Sequence, residues 1–258
     1  MSIYWESTGT GEPVLLIGGL GLSGGAWWRT VPVLSRRFRV LTYDHRGVGR
    51  SESRTHTYTT AAMADDAVSV LDEAGVESAH VYGFSLGGMV AQQLVLLHPE
   101  RVRSLVLAAT HPGGALAVAP DREVQSFFRR RPDLPTEEAA WASVAYNYSA
   151  RGRRELGDRI AEDIAVRLTH PFAPAAYRAQ LRAGASHNCF RRLGAVDVPT
   201  LVVHGTEDRV VPVGNAELIA DAVPGARLHR VEQAGHLFVT EEPGVNKAIA
   251  GFFAAAAT

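Results

Sequence analysis

A serine, an aspartate and a histidine in this chain stand where hydrolytic chemistry would need them. Gly83-Phe84-Ser85-Leu86-Gly87 matches G-x-S-x-G and joins a short apolar run, Ala79–Tyr82, to a helix-forming run, Leu86–Leu97. A chain that leaves a strand and enters a helix this abruptly has no room for side chains at Gly83 and Gly87. Ser85 is therefore expected at the tip of a strained turn, at a cost of ~1–3 kcal/mol. Its hydroxyl would point outward, above the positive end of the following helix. A serine hydroxyl is a weak nucleophile until a base takes its proton. His236, in Ala234-Gly235-His236, offers the imidazole, and Asp208, in Gly205-Thr206-Glu207-Asp208, offers a carboxylate to fix its tautomer. Taken singly, each has a bland reading: an incidental glycine-rich loop, one of ten histidines, an acid at a helix start. Together they gain weight. All three follow predicted strands, in the chain order Ser, Asp, His expected on a parallel sheet.

A second glycine-rich loop admits two chemistries. Gly19-Leu20-Gly21-Leu22-Ser23-Gly24 satisfies G-x-G-x-x-G between a strand and a helix, and Asp44 lies 20 residues beyond Gly24. That spacing fits a dinucleotide site with the acid on a ribose hydroxyl, hence an NAD(P)-binding oxidoreductase. Nothing downstream serves hydride transfer. In the other reading, glycines let backbone N–H groups approach an anion, and the Leu20 amide faces the Leu86 amide across Ser85 as an oxyanion hole. Asp44-His45-Arg46-Gly47-Val48-Gly49-Arg50-Ser51 then reads as a tight, internally bonded loop with Asp44 structural.

The elements that must position these groups alternate. Strands are expected at Ile3–Ser7, Val14–Ile17, Arg39–Tyr43, Ala79–Tyr82 and Ser104–Ala108. Helices are expected at Trp27–Leu34, Thr60–Ala74 (closed by Gly75) and Leu86–Leu97. This order predicts an α/β fold, a mostly parallel, doubly wound sheet. From His111 the pattern changes. Prolines recur, arginines crowd at 129–131 and 151–154, and only helices are expected: Asp121–Arg131, Glu137–Tyr146, Arg153–Leu168 and Pro174–Ala185. The arginine runs read as solvated faces. Alternation resumes with strands Thr200–His204 and Arg227–Glu232 and helices Val213–Val223 and Glu241–Ala256. The expected organisation is a core of residues 1–111 and 197–258 with a helical cap at 112–196.

Composition narrows the function classes. With 258 residues and a net charge of −1, there is no electrostatic case for nucleic acid or an anionic membrane. Cys189 is the only cysteine, which excludes an intrachain disulfide and a cysteine metal cluster. No His/Asp/Glu cluster has metal-ligand spacing, so no metal and no cofactor are expected. No apolar run reaches the ~18 residues of a membrane span, and no signal peptide is read at the N-terminus. A cytoplasmic protein acting on a small molecule is expected, with oligomeric state open, a homo-oligomer included.

On Gly83–Gly88, Asp44–Ser51, Gly205–Asp208 with Pro212, and Gly235-His236, the chain resembles the α/β-hydrolase fold enzymes from about Ile3 to Phe253. More narrowly it is similar to small bacterial esterases and lactonases, 3-oxoadipate enol-lactonase-like and perhydrolase-like members included. The resemblance implies Ser85, Asp208 and His236 as nucleophile, acid and base, and the Leu20 and Leu86 amides as oxyanion hole. It departs in one place: many members carry His-Gly where this chain has Gly18-Gly19. The expected reaction is cleavage of a carboxylic ester or lactone. Acyl transfer, thioester cleavage, cyclisation and lyase chemistry by the same residues are the alternatives. A substrate pocket is expected from Trp141, Tyr146 and Tyr148 of the cap with Trp27 or Trp28, and from His111, which follows a strand end.

Overall fold

The computed structural model describes residues 2–52 and 58–256. Among them one sheet holds seven strands: β1 (Trp5–Thr8), β2 (Glu12–Ile17), β3 (Phe38–Tyr43), β4 (Ala79–Phe84), β5 (Val102–Ala108), β6 (Thr200–Gly205) and β7 (Arg227–Val231). Their spatial order is β1-β3-β2-β4-β5-β6-β7. Only β1 is antiparallel, to β3; the other neighbours pair in parallel. The carboxyl ends of β4, β6 and β7 therefore share one edge, and the loops after them carry Ser85, Asp208 and His236.

The helices are α1 (Val31–Leu34), α2 (Thr60–Glu73), α3 (Leu86–Leu97), α4 (Arg122–Arg130), α5 (Thr136–Ala142), α6 (Val144–Asn147), α7 (Ala150–Glu155), α8 (Gly157–Thr169), α9 (Pro174–Ala185), α10 (Gly214–Ala222), α11 (Phe238–Glu241) and α12 (Val245–Ala256). The sheet separates two cores, because its strands are apolar on both faces. Leu15, Ile17, Leu105 and Leu107 face Met63 of α2, Val90 and Leu94 of α3, and Ile219 of α10. Val14, Leu16, Val106 and Ala108, one residue out of phase, face Leu34 of α1, Phe238 of α11, and Ile249 and Phe253 of α12. The alternation is the period-2 geometry of a strand. The stretch between β5 and β6 contributes helices α4 to α9, and α5, α8 and Tyr148 form a small core of their own.

Several expected helices are shorter than their sequence pattern. Trp27–Leu34 is a 3₁₀ turn, Gly24–Trp27, followed by the four-residue α1. Glu137–Tyr146 divides at Ser143 into α5 and α6, and Arg153–Leu168 divides at Leu156 into α7 and α8. The closing helix is broken by Pro243-Gly244, so α11 ends at Glu241 and α12 begins at Val245.

Candidate active site

Ser85 sits at φ +55°, ψ −118°, a region a residue with a side chain occupies only when its surroundings hold it there. Its amide donates to the Ala108 carbonyl at 2.8 Å, and its own carbonyl accepts from the Thr110 hydroxyl at 2.8 Å and the Gly88 amide at 2.9 Å. The flanking glycines leave that turn its space. A Cβ at Gly83 would lie 2.4 Å from the Gly87 carbonyl oxygen, and one at Gly87 would lie 2.0 Å from the Ile17 carbonyl oxygen. Ser85 holds the N-cap position of α3, yet its side chain caps nothing. The hydroxyl instead lies 3.1 Å from His236 Nε2.

The line continues inward. His236 Nδ1 is 2.7 Å from Asp208 Oδ2. The other carboxylate oxygen accepts from the Val210 and Val211 amides, each at 2.8 Å, so Asp208 cannot rotate away. Burial alone would raise this carboxyl, but the charge of His236 and hydrogen bonds from His204 and His236 outweigh it and hold the pKa at about 2. The carboxylate stays ionised and acts as acceptor only, which makes Nδ1 of His236 the donor and leaves Nε2 free to accept from Ser85. His204 is a second imidazole at the same acid: its Nε2 lies 2.8 Å from the Val211 carbonyl and 3.1 Å from Asp208 Oδ2. Both neighbours accept, so that nitrogen carries a proton. Glu207, next to Asp208 in sequence, is exposed.

The loop after β2 lies against the serine: a Cβ at Gly19 would be 3.3 Å from Ser85 Cβ. The Leu22 amide closes a turn to the Gly19 carbonyl at 3.1 Å, with Gly21 at φ +67°. The Gly21 amide donates to Gln180 Oε1 at 2.9 Å. The Leu20 amide enters neither bond. The Leu86 amide heads α3, where an N–H has no intrahelical carbonyl. The support that a histidine gives this loop in many α/β hydrolases comes here from His45, whose Nε2 lies 2.8 Å from the Gly18 carbonyl. Asp44 is fully buried and already engaged, accepting from the Gly24 amide at 2.7 Å and from the Arg50 amide at 2.9 Å. Its carboxylate is closed to a ribose, and a 3₁₀ turn rather than a long helix follows the glycines.

A cavity of about 470 Å³ opens over Ser85, lined by Leu20, Leu86, His236 and residues of the inserted helices. His111 lines it. Burial lowers that imidazole to about 4, and its Nδ1 accepts the Gly113 amide at 3.1 Å, so the ring is neutral with its proton on Nε2. Trp27 and Trp28 line a smaller adjoining cavity of about 70 Å³. The three aromatic residues expected from the inserted helices line neither. Trp141 is 48% exposed, Tyr146 stacks on Phe127 and bonds Glu123, and Tyr148 is buried with its hydroxyl 2.9 Å from Asp163. Their spacing marked helices but not which face turns inward. The arginine run at 129–131 also departs from expectation, because Arg131 is buried against the cavity rather than solvated.

Sequence reasoning missed three supporting residues. Gln180 holds the Gly21 turn from α9. His204, at the end of the strand expected at Thr200–His204, contacts Asp208. Glu241 is buried and accepts from the Gly235 amide at 2.8 Å and the Ser149 amide at 3.1 Å, tying the histidine loop to the inserted helices. None has a local motif; only His204, four residues before the acid on one strand end, carried a signal. Among the described residues no group of three or more His, Cys, Asp or Glu side chains is placed to hold a metal ion, and no helix is long and apolar enough to cross a membrane.

The alpha/beta hydrolase fold family model matches residues 12–243. A protein of Azorhizobium caulinodans named "Putative carbamate hydrolase RutD" is 33% identical over 97% of this chain and 94% of its own length. The crystal structure of "Putative non-heme bromoperoxidase BpoC" from Mycobacterium tuberculosis H37Rv superposes with a TM-score of 0.85 at 30% identity, covering 99% of this chain and 97% of that one. A thermophilic esterase from Thermogutta terrifontis, solved with malate bound, superposes with a TM-score of 0.83 at 28% identity, covering 99% and 94%.

Proposed function

This chain belongs to the α/β-hydrolase fold family, and on that premise we propose that it is a serine hydrolase cleaving a carboxylic ester, cyclic esters included, through an acyl-enzyme. The observation that carries the proposal is the continuous hydrogen-bonded line Ser85–His236–Asp208 at the tip of a strained turn. Ser85 Oγ attacks the carbonyl carbon while His236 Nε2 takes the hydroxyl proton. Asp208 holds the imidazole and stabilises its charged form. The carbonyl oxygen becomes an oxyanion facing the Leu20 and Leu86 amides; one such donor is worth ~10²–10³ in rate. The tetrahedral intermediate then breaks its C–O bond, and His236 returns the proton to the departing alkoxide. Water, deprotonated by His236, attacks the acyl-enzyme and releases the acid with Ser85 restored. The inserted helices act as the cap that encloses the acyl group.

The hydrolase-named relatives and the named esterase support this reading. Transfer of the acyl group to an acceptor other than water, and cleavage of a thioester or carbamate, use the same first step; product analysis separates them. The test is direct. A fluorophosphonate probe is expected to label the wild-type protein once, at Ser85, and the protein to hydrolyse p-nitrophenyl esters. Full activity in Ser85→Ala would overturn the assignment.

A further inference from the structure

The buried histidines of this protein have their ring nitrogens either engaged or enclosed. His187 Nδ1 lies 3.1 Å from the Thr60 hydroxyl and its Nε2 3.4 Å from Gln92 Oε1. His80 meets Ser104 and Glu12 in the same way. His45 and His204 each keep an unpartnered Nδ1, but those atoms are shut inside the protein, and each ring carries its proton on Nε2 against a carbonyl. His111 differs. Its Nδ1 accepts the Gly113 amide at 3.1 Å, so its proton is on Nε2. That Nε2 has no hydrogen-bond partner among the described residues and is not enclosed as the other two are, and the residue lines the cavity over Ser85. One N–H donor therefore stands open on the cavity wall.

Three contacts fix the ring. The His111 carbonyl accepts from Nε2 of Gln92, a fully buried side chain of α3, at 3.1 Å. Gly113 stands at φ +69°, and a Cβ there would lie 1.9 Å from the His187 carbonyl oxygen, so the amide that holds Nδ1 is itself held by backbone. Thr110, the residue before, donates to the Ser85 carbonyl at 2.8 Å, which ties the ring's position to the serine turn. The ring is also kept uncharged. Burial lowers it to about 4, the His187 ring lies 6.2 Å away, and Arg129, Arg131, Arg167 and Arg182 line the cavity with no aspartate or glutamate. An uncharged N–H in a wall that includes Met89, Val118 and Val210 is suited to an oxygen lone pair. A bound chain of methylenes alone would strand that donor.

We propose that His111 is a specificity-determining residue: its Nε2–H donates to an uncharged oxygen on the acyl group, so that the preferred substrate is an ester or lactone of an acid carrying an ether, hydroxyl or ketone oxygen along its chain. The proposal rests on the serine-hydrolase reading for the turnover but not for the binding site.

The experiment scans one oxygen along a chain of fixed length. The p-nitrophenyl esters of hexanoate, propoxyacetate, β-ethoxypropanoate and γ-methoxybutanoate differ only in whether and where an ether oxygen replaces a methylene. Dividing kcat/KM by the rate of alkaline hydrolysis removes the inductive effect of that oxygen. One of the three ethers is expected to exceed the hexanoate by about 10- to 100-fold, through KM. In His111→Phe this ratio is expected to fall toward one, and His111→Gln, which keeps an N–H donor, to keep part of it. A ratio is insensitive to the fraction of variant that folds. Binding is read separately by NMR of the imidazole nitrogens in the wild-type protein. The His111 Nε2 resonance is expected to move with at least one of the three corresponding ether amides and not with hexanamide. Hydrolysis of the hexanoate ester with no ether favoured, or a preference unchanged in His111→Phe, overturns this inference and leaves the hydrolase reading standing. An Nε2 response to an ether amide without turnover of any ester, and without Ser85 labelling, supports the donor site while removing the hydrolase reading. No response to any of the three amides overturns the site outright.

Discussion

The side chain of Gln180 accepts the backbone N–H of Gly21 at 2.9 Å, across 159 residues of sequence. A helix inserted between β5 and β6 thereby holds a turn of the loop beside Ser85. Gly21 has no room to move in exchange, because a Cβ there would lie 2.8 Å from Phe172 and 2.9 Å from Tyr177. Gln180→Leu keeps the volume but strands a buried N–H, which costs about 1–3 kcal/mol. The expected outcome is a lower Tm and a loss in kcat of about tenfold, as the Leu20 amide loses its aim. Gln180→Glu keeps the acceptor and should retain more of kcat on a neutral ester. Thermal unfolding and steady-state kinetics on p-nitrophenyl butyrate check both.

The acid that orients His236 should be hard to replace. Asp208→Asn preserves the shape but offers an N–H₂ where the imidazole donates, favouring the wrong tautomer. A loss of about 10³–10⁴-fold in kcat is expected. His204→Asn, which removes one of two imidazoles at that carboxylate, should cost much less in kcat and shift the acid limb of the pH–rate profile upward, since Asp208 loses a hydrogen bond that stabilises its charge. A His204 variant with an unchanged acid limb would show that the contact is packing alone.

Buried groups that resist protonation make the fold acid-sensitive. Burial holds His45, His80, His111 and His187 below the ordinary 6.5, with His111 at about 4 and His187 at about 3; Asp208 sits at about 2 against 3.8. In each case the unfolded chain binds protons that the folded one refuses. Stability is therefore full above about pH 6.5 and falls as pH drops, first through the histidines and then, below about pH 4, through Asp208. Urea unfolding between pH 7 and 3 is expected to show this monotonic loss. Replacing His111 and His187 together by Gln should flatten part of the slope between pH 6.5 and 4.

The parts of the molecule legible in sequence are those where local sterics and chemistry coincide. G-x-S-x-G implies a conformation as well as a candidate nucleophile, and the Gly83 and Gly87 contacts are the collisions that the motif implies. Ser85, Asp208 and His236 meet because strand ends in a parallel sheet share an edge. The two-sided apolar pattern of Val14–Ile17 likewise revealed a strand covered on both faces. The inserted helices were legible only as helices. Nothing in Trp141 or Tyr148 says which face turns toward Ser85, and nothing in Arg129-Arg130-Arg131 says that the third is buried. Those facts depend on how α4, α8 and α9 pack, which is long-range. The break at Pro243-Gly244 is different: a proline followed by a glycine is a local helix-breaking signal, and it separates α11 from α12.

Gly87 gives a sharp steric prediction. A methyl group there meets the Ile17 and Gly18 carbonyl oxygens at 2.0 and 2.5 Å, backbone atoms at the carboxyl end of β2 that cannot yield as a flexible side chain would. Gly87→Ala is expected to destabilise by about 3 kcal/mol or to prevent folding. Gly75→Ala meets nothing within 4 Å, but sits at φ +66° and should cost only about 1 kcal/mol. Urea midpoints of the two variants give the comparison, and equal losses would contradict the packing at the turn.

Glu241 joins the loop that carries His236 to the inserted helices. Its carboxylate is buried, meets no arginine or lysine among the described residues, and is held only by the Gly235 and Ser149 amides and the Ser149 hydroxyl. Both amides share one carboxylate oxygen and the hydroxyl takes the other, so Glu241→Gln keeps the amide acceptor, reverses the Ser149 hydroxyl from donor to acceptor and removes the charge that strengthens all three bonds. The anchor of the loop is weakened, and His236 is the residue after Gly235. Loss of about 1–3 kcal/mol in stability is expected, with a drop in kcat that persists at temperatures where the variant is fully folded. A residue that served stability alone would leave kcat unchanged there. Ser149→Ala removes the hydroxyl from the other side and should reproduce the loss of stability with a smaller loss of kcat, because the Gly235 amide keeps its acceptor.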